Sequence, residues 1–151
     1  MAAEYLANAV QAVAINAPVN FTASIPCRKG YVYHEDGTGI FTLRGITDQC
    51  FAVYQVTFNA NIALPEEAEE VVPIAVALTV SGEPRMTSRA IYTPAAVDEY
   101  GNVTSTAIVK IPRGCCFNVS VDAVPASEDP TVTPAPIINV QIANLVIDRI
   151  A

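Results

Sequence analysis

Phe51-Ala52-Val53-Tyr54-Gln55-Val56-Thr57-Phe58-Asn59-Ala60-Asn61-Ile62 is the stretch whose reading decides the fold. Its even positions, Ala52, Tyr54, Val56, Phe58, Ala60 and Ile62, are apolar. Its odd positions from Gln55 onward are Gln, Thr, Asn and Asn. Side chains of a strand alternate between its faces, so this period of two describes a strand with one face in a core and the other outside it. Pro65 and the acidic group Glu66, Glu67, Glu69 and Glu70 close it.

The same period continues on both sides. Upstream, Val13, Ile15, Ala17, Val19, Phe21, Ala23 and Ile25 occupy alternate positions, with Pro18 marking an edge or a break. Tyr31–His34 and Gly39–Leu43 flank Glu35-Asp36-Gly37, and an Asp-Gly step between strand-like runs signals a hairpin. Downstream, Thr87–Thr93, Val103–Ile111 and Phe117–Ala123 read as strands, separated by turns at Ser81–Pro84, Pro94–Gly101 and Pro112–Gly114. The last run, Ile137 to Ile150, shifts its apolar phase and predicts a β-bulge near Ala143-Asn144. Val72–Val80 is apolar on both faces and should be covered on both, by a neighbouring element or a neighbouring subunit. The Ala-rich start, Ala2–Ala12, fits a short helix or an arm. About eight to ten strands without a long helix predict an all-β sandwich, best fitted by a jelly roll. An immunoglobulin-like sandwich is weakened because the chain has no Trp for the usual core position.

The 151 residues suit one domain that buries roughly two-thirds of its unfolded surface. Charged residues are 15% of the chain against about 25% in ordinary soluble domains, which points to self-association. The net charge of −7 and the scattered basic residues speak against nucleic-acid binding. Polar residues or Pro interrupt the apolar runs Val71–Val80 and Ile137–Ile147, so no membrane span is expected. Glu4, with no basic residue ahead of an apolar run, speaks against a Sec signal peptide.

Catalytic patterns are missing. His34 is the only histidine, and it reads as a surface residue of the hairpin turn. One histidine excludes a metal site of several His ligands and argues strongly against a cupin-type enzyme, which stays as an open alternative class. The carboxylates at Glu66–Glu70 lack an EF-hand pattern and read as a solvated loop. No catalytic residue, cofactor or metal is expected. Cys27, Cys50, Cys115 and Cys116 form no C-x-x-C pair and read as free thiols that pack as small apolar groups. If a disulfide forms, Cys27–Cys50 is the favoured pairing, since each ends a strand-like run.

The segment His34-Glu35-Asp36-Gly37-Thr38-Gly39-Ile40-Phe41-Thr42-Leu43-Arg44-Gly45 resembles a recurrent H-x-x-G-[ST]-G-x-x-x-L-R-G stretch. That stretch occurs in small TNF/C1q-like jelly-roll proteins of Gram-positive bacteria and their phages. Tyr54–Ile62, Ile111–Cys116 and Ala143–Ile147 match further pieces in order. The resemblance implies a homotrimer of jelly rolls with the apolar outer side of one sheet in the interface. Ile74, Val76, Leu78, Tyr54, Val56 and Phe58 are the expected interface residues. It further implies a virion surface, with the chain decorating a phage head and docking on the major capsid lattice. Residues 1–16 would form an N-terminal arm or first strand, with Tyr5, Leu6, Val10 and Val13 as docking residues, ahead of a jelly-roll domain at 17–151. No Gly-X-Y repeat supports a spore stalk. The alternative is a receptor- or glycan-binding module on a fibre tip, bacterial cell or spore surface, presenting Tyr31, Tyr33, Tyr92 and Tyr100.

Overall fold

The structure, a computed structural model, describes residues 2–25 and 30–151. Among the described residues twelve strands follow one another: β1 (Ala2–Ala7), β2 (Gln11–Ala14), β3 (Ala23–Ile25), β4 (Val32–His34), β5 (Phe41–Arg44), β6 (Phe51–Ala63), β7 (Ile74–Val80), β8 (Glu83–Pro84), β9 (Ala90–Tyr92), β10 (Gly101–Pro112), β11 (Cys116–Val124) and β12 (Ile137–Arg149). They form two antiparallel sheets. One has the order β10-β6-β12-β1-β3, with β2 also pairing β12. The other has the order β4-β5-β11-β7-β8, with β9 also pairing β7. From β9 onward the chain changes sheet at every connection, which is the jelly-roll pattern. Among the described residues no helix is long and apolar enough to cross a membrane.

The alternation of β6 sets the long-stranded sheet. β6 pairs with β10 from Phe51↔Pro112 to Ile62↔Gly101, and with β12 from Tyr54↔Arg149 to Ala63↔Asn139. Tyr54, Val56, Phe58 and Ile62 then point between the sheets and are fully buried against Leu43, Leu78, Val121 and Leu145 in one continuous core. The Tyr54 hydroxyl escapes an unpaired burial by donating to the Arg44 carbonyl at 2.6 Å. The bulge in β12 lies at Gln141, between Val140 and Ile142, two residues earlier than the apolar phase suggested. It turns Ile142 out to solvent and keeps Ala143, Leu145 and Ile147 inside.

Several expectations change. Tyr54, Val56, Phe58, Ile74, Val76 and Leu78 are at most 2% exposed within a single chain. They fill the sandwich and offer no surface to a second subunit, so they are not interface residues. The doubly apolar β7 is covered by its own chain: Ala75 and Ala77, on its other side, pack with Val124 and Ala126. The Ala-rich start is neither helix nor detached arm. β1 lies between β12 and β3, from Ala2↔Asp148 to Ala7↔Ala143, with Tyr5 buried. β2 pairs with the start of β12 and buries Val13. Of the four expected docking residues, Tyr5 and Val13 are thus internal, Leu6 is half-buried and Val10 is exposed. The run from Val13 to Ile25 breaks beyond β2, where Asn16 adopts a left-handed φ of 64°. Val19 and Phe21 remain buried, and Ile25 faces solvent.

The chain exposes 7808 Å². A compact monomer of 16.0 kDa exposes roughly 7,400 Å². The core therefore closes without help from a partner. Phe58→Ala is expected to destabilise by about 3–5 kcal/mol through the cavity it leaves, read as a lowered urea midpoint at fixed protein concentration. A cost below about 1 kcal/mol would mean that Phe58 is not a central core residue.

Candidate functional site

The motif that carried the sequence resemblance proves to be a structural device. The His34 ring is buried, contrary to its reading as a surface turn residue. It stacks on Phe41 with centroids 4.2 Å apart and meets the edge of Tyr5 at 4.9 Å, while Tyr5 also meets Phe41 at 4.5 Å. This aromatic group ties β1 of one sheet to the β4–β5 hairpin of the other. His34 Nε2 bonds the Thr38 carbonyl at 2.9 Å, which closes the turn. Nδ1 has no hydrogen bond, and the Asp36 carboxylate lies 3.8 Å from it. Gly37 takes a φ of 92°, and its N–H donates to the Phe21 carbonyl. Gly39 lies against the Val19 carbonyl so closely that a Cβ would collide with it. Gly39→Ala should therefore cost about 1–3 kcal/mol, measured by urea unfolding. A neutral effect would show that the loop at Val19 yields freely.

The three described thiols do not pack as small apolar groups. Cys50, Cys115 and Cys116 are free and exposed. Cys27, the expected partner of Cys50, lies outside the described residues. The four tyrosines do not form one platform. Tyr31 lies under the Arg149 guanidinium at 4.5 Å, Tyr92 covers Gly101 and donates to the Glu99 carbonyl, and Tyr33 is exposed on β4. Among the described residues, no three His, Cys, Asp or Glu side chains gather to hold a metal ion. The loop carrying Glu67, Glu69 and Glu70 borders a depression of about 460 Å³ against Pro134 and Ile137.

Two sheet faces remain. The outer face of the long-stranded sheet is built from the residues that alternate with the core. Its cross-strand rows run Thr106–Thr57–Val146–Glu4–Ile25, Thr104–Asn59–Asn144–Leu6–Ala23, Asn102–Asn61–Ile142 and Ile108–Gln55–Asp148–Ala2. Only Glu4 and Asp148 in these rows are charged. The amides and hydroxyls bond one another: Asn102 Nδ2 donates to Asn59 Oδ1 at 2.8 Å and Asn61 Oδ1 at 3.0 Å, and Thr104 donates to Asn59 Oδ1 at 3.1 Å. Sequence reasoning assigned these positions to solvent from their polarity and missed that they form a network. β10, at the sheet edge, has no charged residue from Gly101 to Val109, although Arg85 covers part of that edge by donating to the Ile108 carbonyl at 2.6 Å.

On the opposite sheet the outward residues of β11 are Cys116, Asn118, Ser120 and Asp122. The Ser120 hydroxyl donates to Asp122 Oδ1 at 2.8 Å. Burial pushes the Asp122 carboxyl above its ordinary value of 3.8, partly offset by the Ser120 hydrogen bond. The Thr79 hydroxyl is near enough to favour the ionised form, yet it is short of hydrogen-bond geometry and stays unpaired. Because folding raises this pKa, the folded state binds the proton more tightly than the unfolded chain does. The stability this brings is present at low pH and is lost as pH rises from 3.8 through the raised value. Asp122→Asn is thus expected to match or exceed the parent's urea midpoint at neutral pH, with the difference closing as pH falls toward 3.8. A neutral-pH midpoint below the parent's would contradict this.

Three animal proteins are among the solved structures with the same fold. The globular domain of the zebrafish complement 1qA protein is 15% identical, covering 99% of this chain and 97% of that one, with a TM-score of 0.63. The Eiger TNF of S. frugiperda is 13% identical over 100% of this chain and 92% of that one, at 0.65. Murine APRIL at pH 5.0 is 10% identical over 99% and 100%, at 0.62. These likenesses establish the TNF/C1q-like jelly roll and nothing finer. No family model matches the sequence, and no curated protein matches it.

Proposed function

We propose that this chain is a non-catalytic assembly module: a homotrimer that decorates a phage head by docking on the major capsid lattice. The observation that carries the assembly is the outer face of the β10-β6-β12-β1-β3 sheet. It is broad and nearly uncharged, its Asn59, Asn61, Asn102 and Thr104 side chains already bond one another, and it exposes Ile108 and Ile142. Few charges must be stripped of water when such a face meets a copy of itself or the edge at β10. The chain's low overall charge supports the same reading. The absence of a catalytic role is supported by the engagement of the single histidine in closing its own hairpin. The virion setting rests on the sequence resemblance carried by His34–Gly45. Docking through a free N-terminal arm is not part of the proposal, because β1 and β2 belong to the sheet.

The alternative reading, a receptor- or glycan-binding module on a fibre tip or spore surface, uses the same assembly. Mass spectrometry of purified virions separates the two. Detection in capsid-stoichiometric amounts supports decoration, whereas amounts of a few trimers per particle, or none, contradict it.

Multi-angle light scattering should give a mass three times 16.0 kDa at micromolar concentration. Thr57→Arg places an unpaired charge at the middle of the contact face and should raise the dissociation constant by about 100-fold or more. Its β-sheet circular dichroism should be unchanged. A parent protein that runs as a monomer, or a Thr57→Arg variant that stays trimeric, would refute this interface.

A further inference from the structure

We propose that the outer face of the β4-β5-β11-β7-β8 sheet carries a binding site for a neutral sugar ring, formed by Pro18, Ile40, Thr79, Asn118, Ser120 and Asp122. These residues line a depression of about 440 Å³, the scale of a single sugar unit and its water. No Lys, Arg or His lines it, so a phosphate or acidic sugar finds no counter-charge. One carboxylate is too few for a divalent cation, which takes six or more oxygen ligands.

The polar groups that remain match a polyol. Asp122 Oδ1 accepts from Ser120, which leaves Oδ2 as an acceptor for a sugar hydroxyl. Asn118 Oδ1 accepts from the Thr42 hydroxyl at 3.1 Å, which fixes the amide and leaves Nδ2 as a donor. Thr79 is 3% exposed, and its hydroxyl has no hydrogen-bond partner. A buried hydroxyl left unpaired costs about 1–3 kcal/mol, and this one lines the depression beside the Asp122 carboxylate, where a sugar hydroxyl or a water could complete the hydrogen bonding of both groups. Ile40 is exposed and Pro18 half-buried, and both offer an apolar wall to the C–H face of a pyranose ring. Pro18 is held in place where its segment bridges to β11: the Val19 N–H donates to the Val121 carbonyl at 2.8 Å, and the Ala123 N–H donates to the Ala17 carbonyl at 3.1 Å. None of the four tyrosines considered from sequence lines the depression, and the nearest in register is Tyr33, in the row Tyr33–Thr42–Asn118. The site lies on the opposite sheet from the proposed trimer contact, so it stands or falls independently of assembly.

The test is amide NMR of the full chain, titrated through the millimolar range with methyl α-glucoside, methyl β-galactoside, methyl α-mannoside and N-acetylglucosamine. At least one sugar should shift the resonances of Gly82, the Asn118 side chain and Ser120 with a dissociation constant on the order of 1–10 mM. Asp122→Asn should weaken that binding by about tenfold or more, and Thr79→Val by a few-fold. Asn118→Ala, at an exposed position, supplies a second, independent loss-of-binding variant. The Thr57→Arg variant should bind the sugar as the parent does, which separates this site from the trimer. No shifts with any of the four sugars, shifts centred elsewhere, or binding indifferent to Asp122 and Asn118 would overturn the proposal.

Discussion

The register of β6 between β10 and β12 is the constraint on which the rest of the molecule depends. β6 pairs along nearly its whole length on both sides, and its alternate residues Tyr54, Val56, Phe58 and Ile62 are fully buried. A slip of one residue would bring these four side chains into water and drive Gln55, Thr57, Asn59 and Asn61 into the core. At roughly 1.5–3 kcal/mol for each large apolar side chain, that error would be comparable to the whole net stability of a typical domain, before the cost of burying the amides is added. The same register sets the composition of the outer face. Each inward Phe or Val is followed by an outward Thr or Asn, and the cross-strand network from Thr104 to Asn61 follows from that alternation.

Most of the strands were legible because period two is a local signal. β6, β7, β10, β11 and β12 lie within a few residues of where alternation places them, and the Asp-Gly hairpin appears as β4 and β5. The misreadings have a common cause: they concern what covers a residue, which alternation does not report. Ala75 and Ala77 suggested a neighbouring subunit, but Val124 and Ala126 of the same chain cover them. Ala2–Ala7 has weak strand propensity, and only pairing with β12 and β3 makes it a strand. His34 looked like a turn residue from its neighbours Glu35 and Asp36, whereas Tyr5 and Phe41, distant in sequence, enclose it. The bulge was visible as a phase change, but its position at Gln141 is set by pairing to β6 and was legible only to within two residues.

The candidate sites were less legible for the same reason. Residues expected at the interface were chosen for being apolar, and apolar residues are the ones a sandwich takes inside. The faces left for partners are made of Asn, Thr, Ser and a few isolated Ile side chains, which a composition-based reading treats as background. The two sheets have different outer surfaces. The long-stranded sheet presents a partly paired, nearly uncharged face, while the shorter one holds a partly buried carboxylate and an unpaired hydroxyl. The first is suited to contact with another copy and the second to a small polar ligand. In the proposed trimer the ligand face would point away from the threefold axis.

Oxidative side-chain footprinting, compared between micromolar protein and protein diluted below the assembly range, tests the proposed contact surface most directly. The account predicts that Ile108, Ile142 and Val146 are protected at the higher concentration, while Ile40 on the opposite sheet and Val132 in the loop before β12 react equally in both. Equal reactivity of Ile108 and Ile142 at the two concentrations, or protection centred on Ile40, would contradict it.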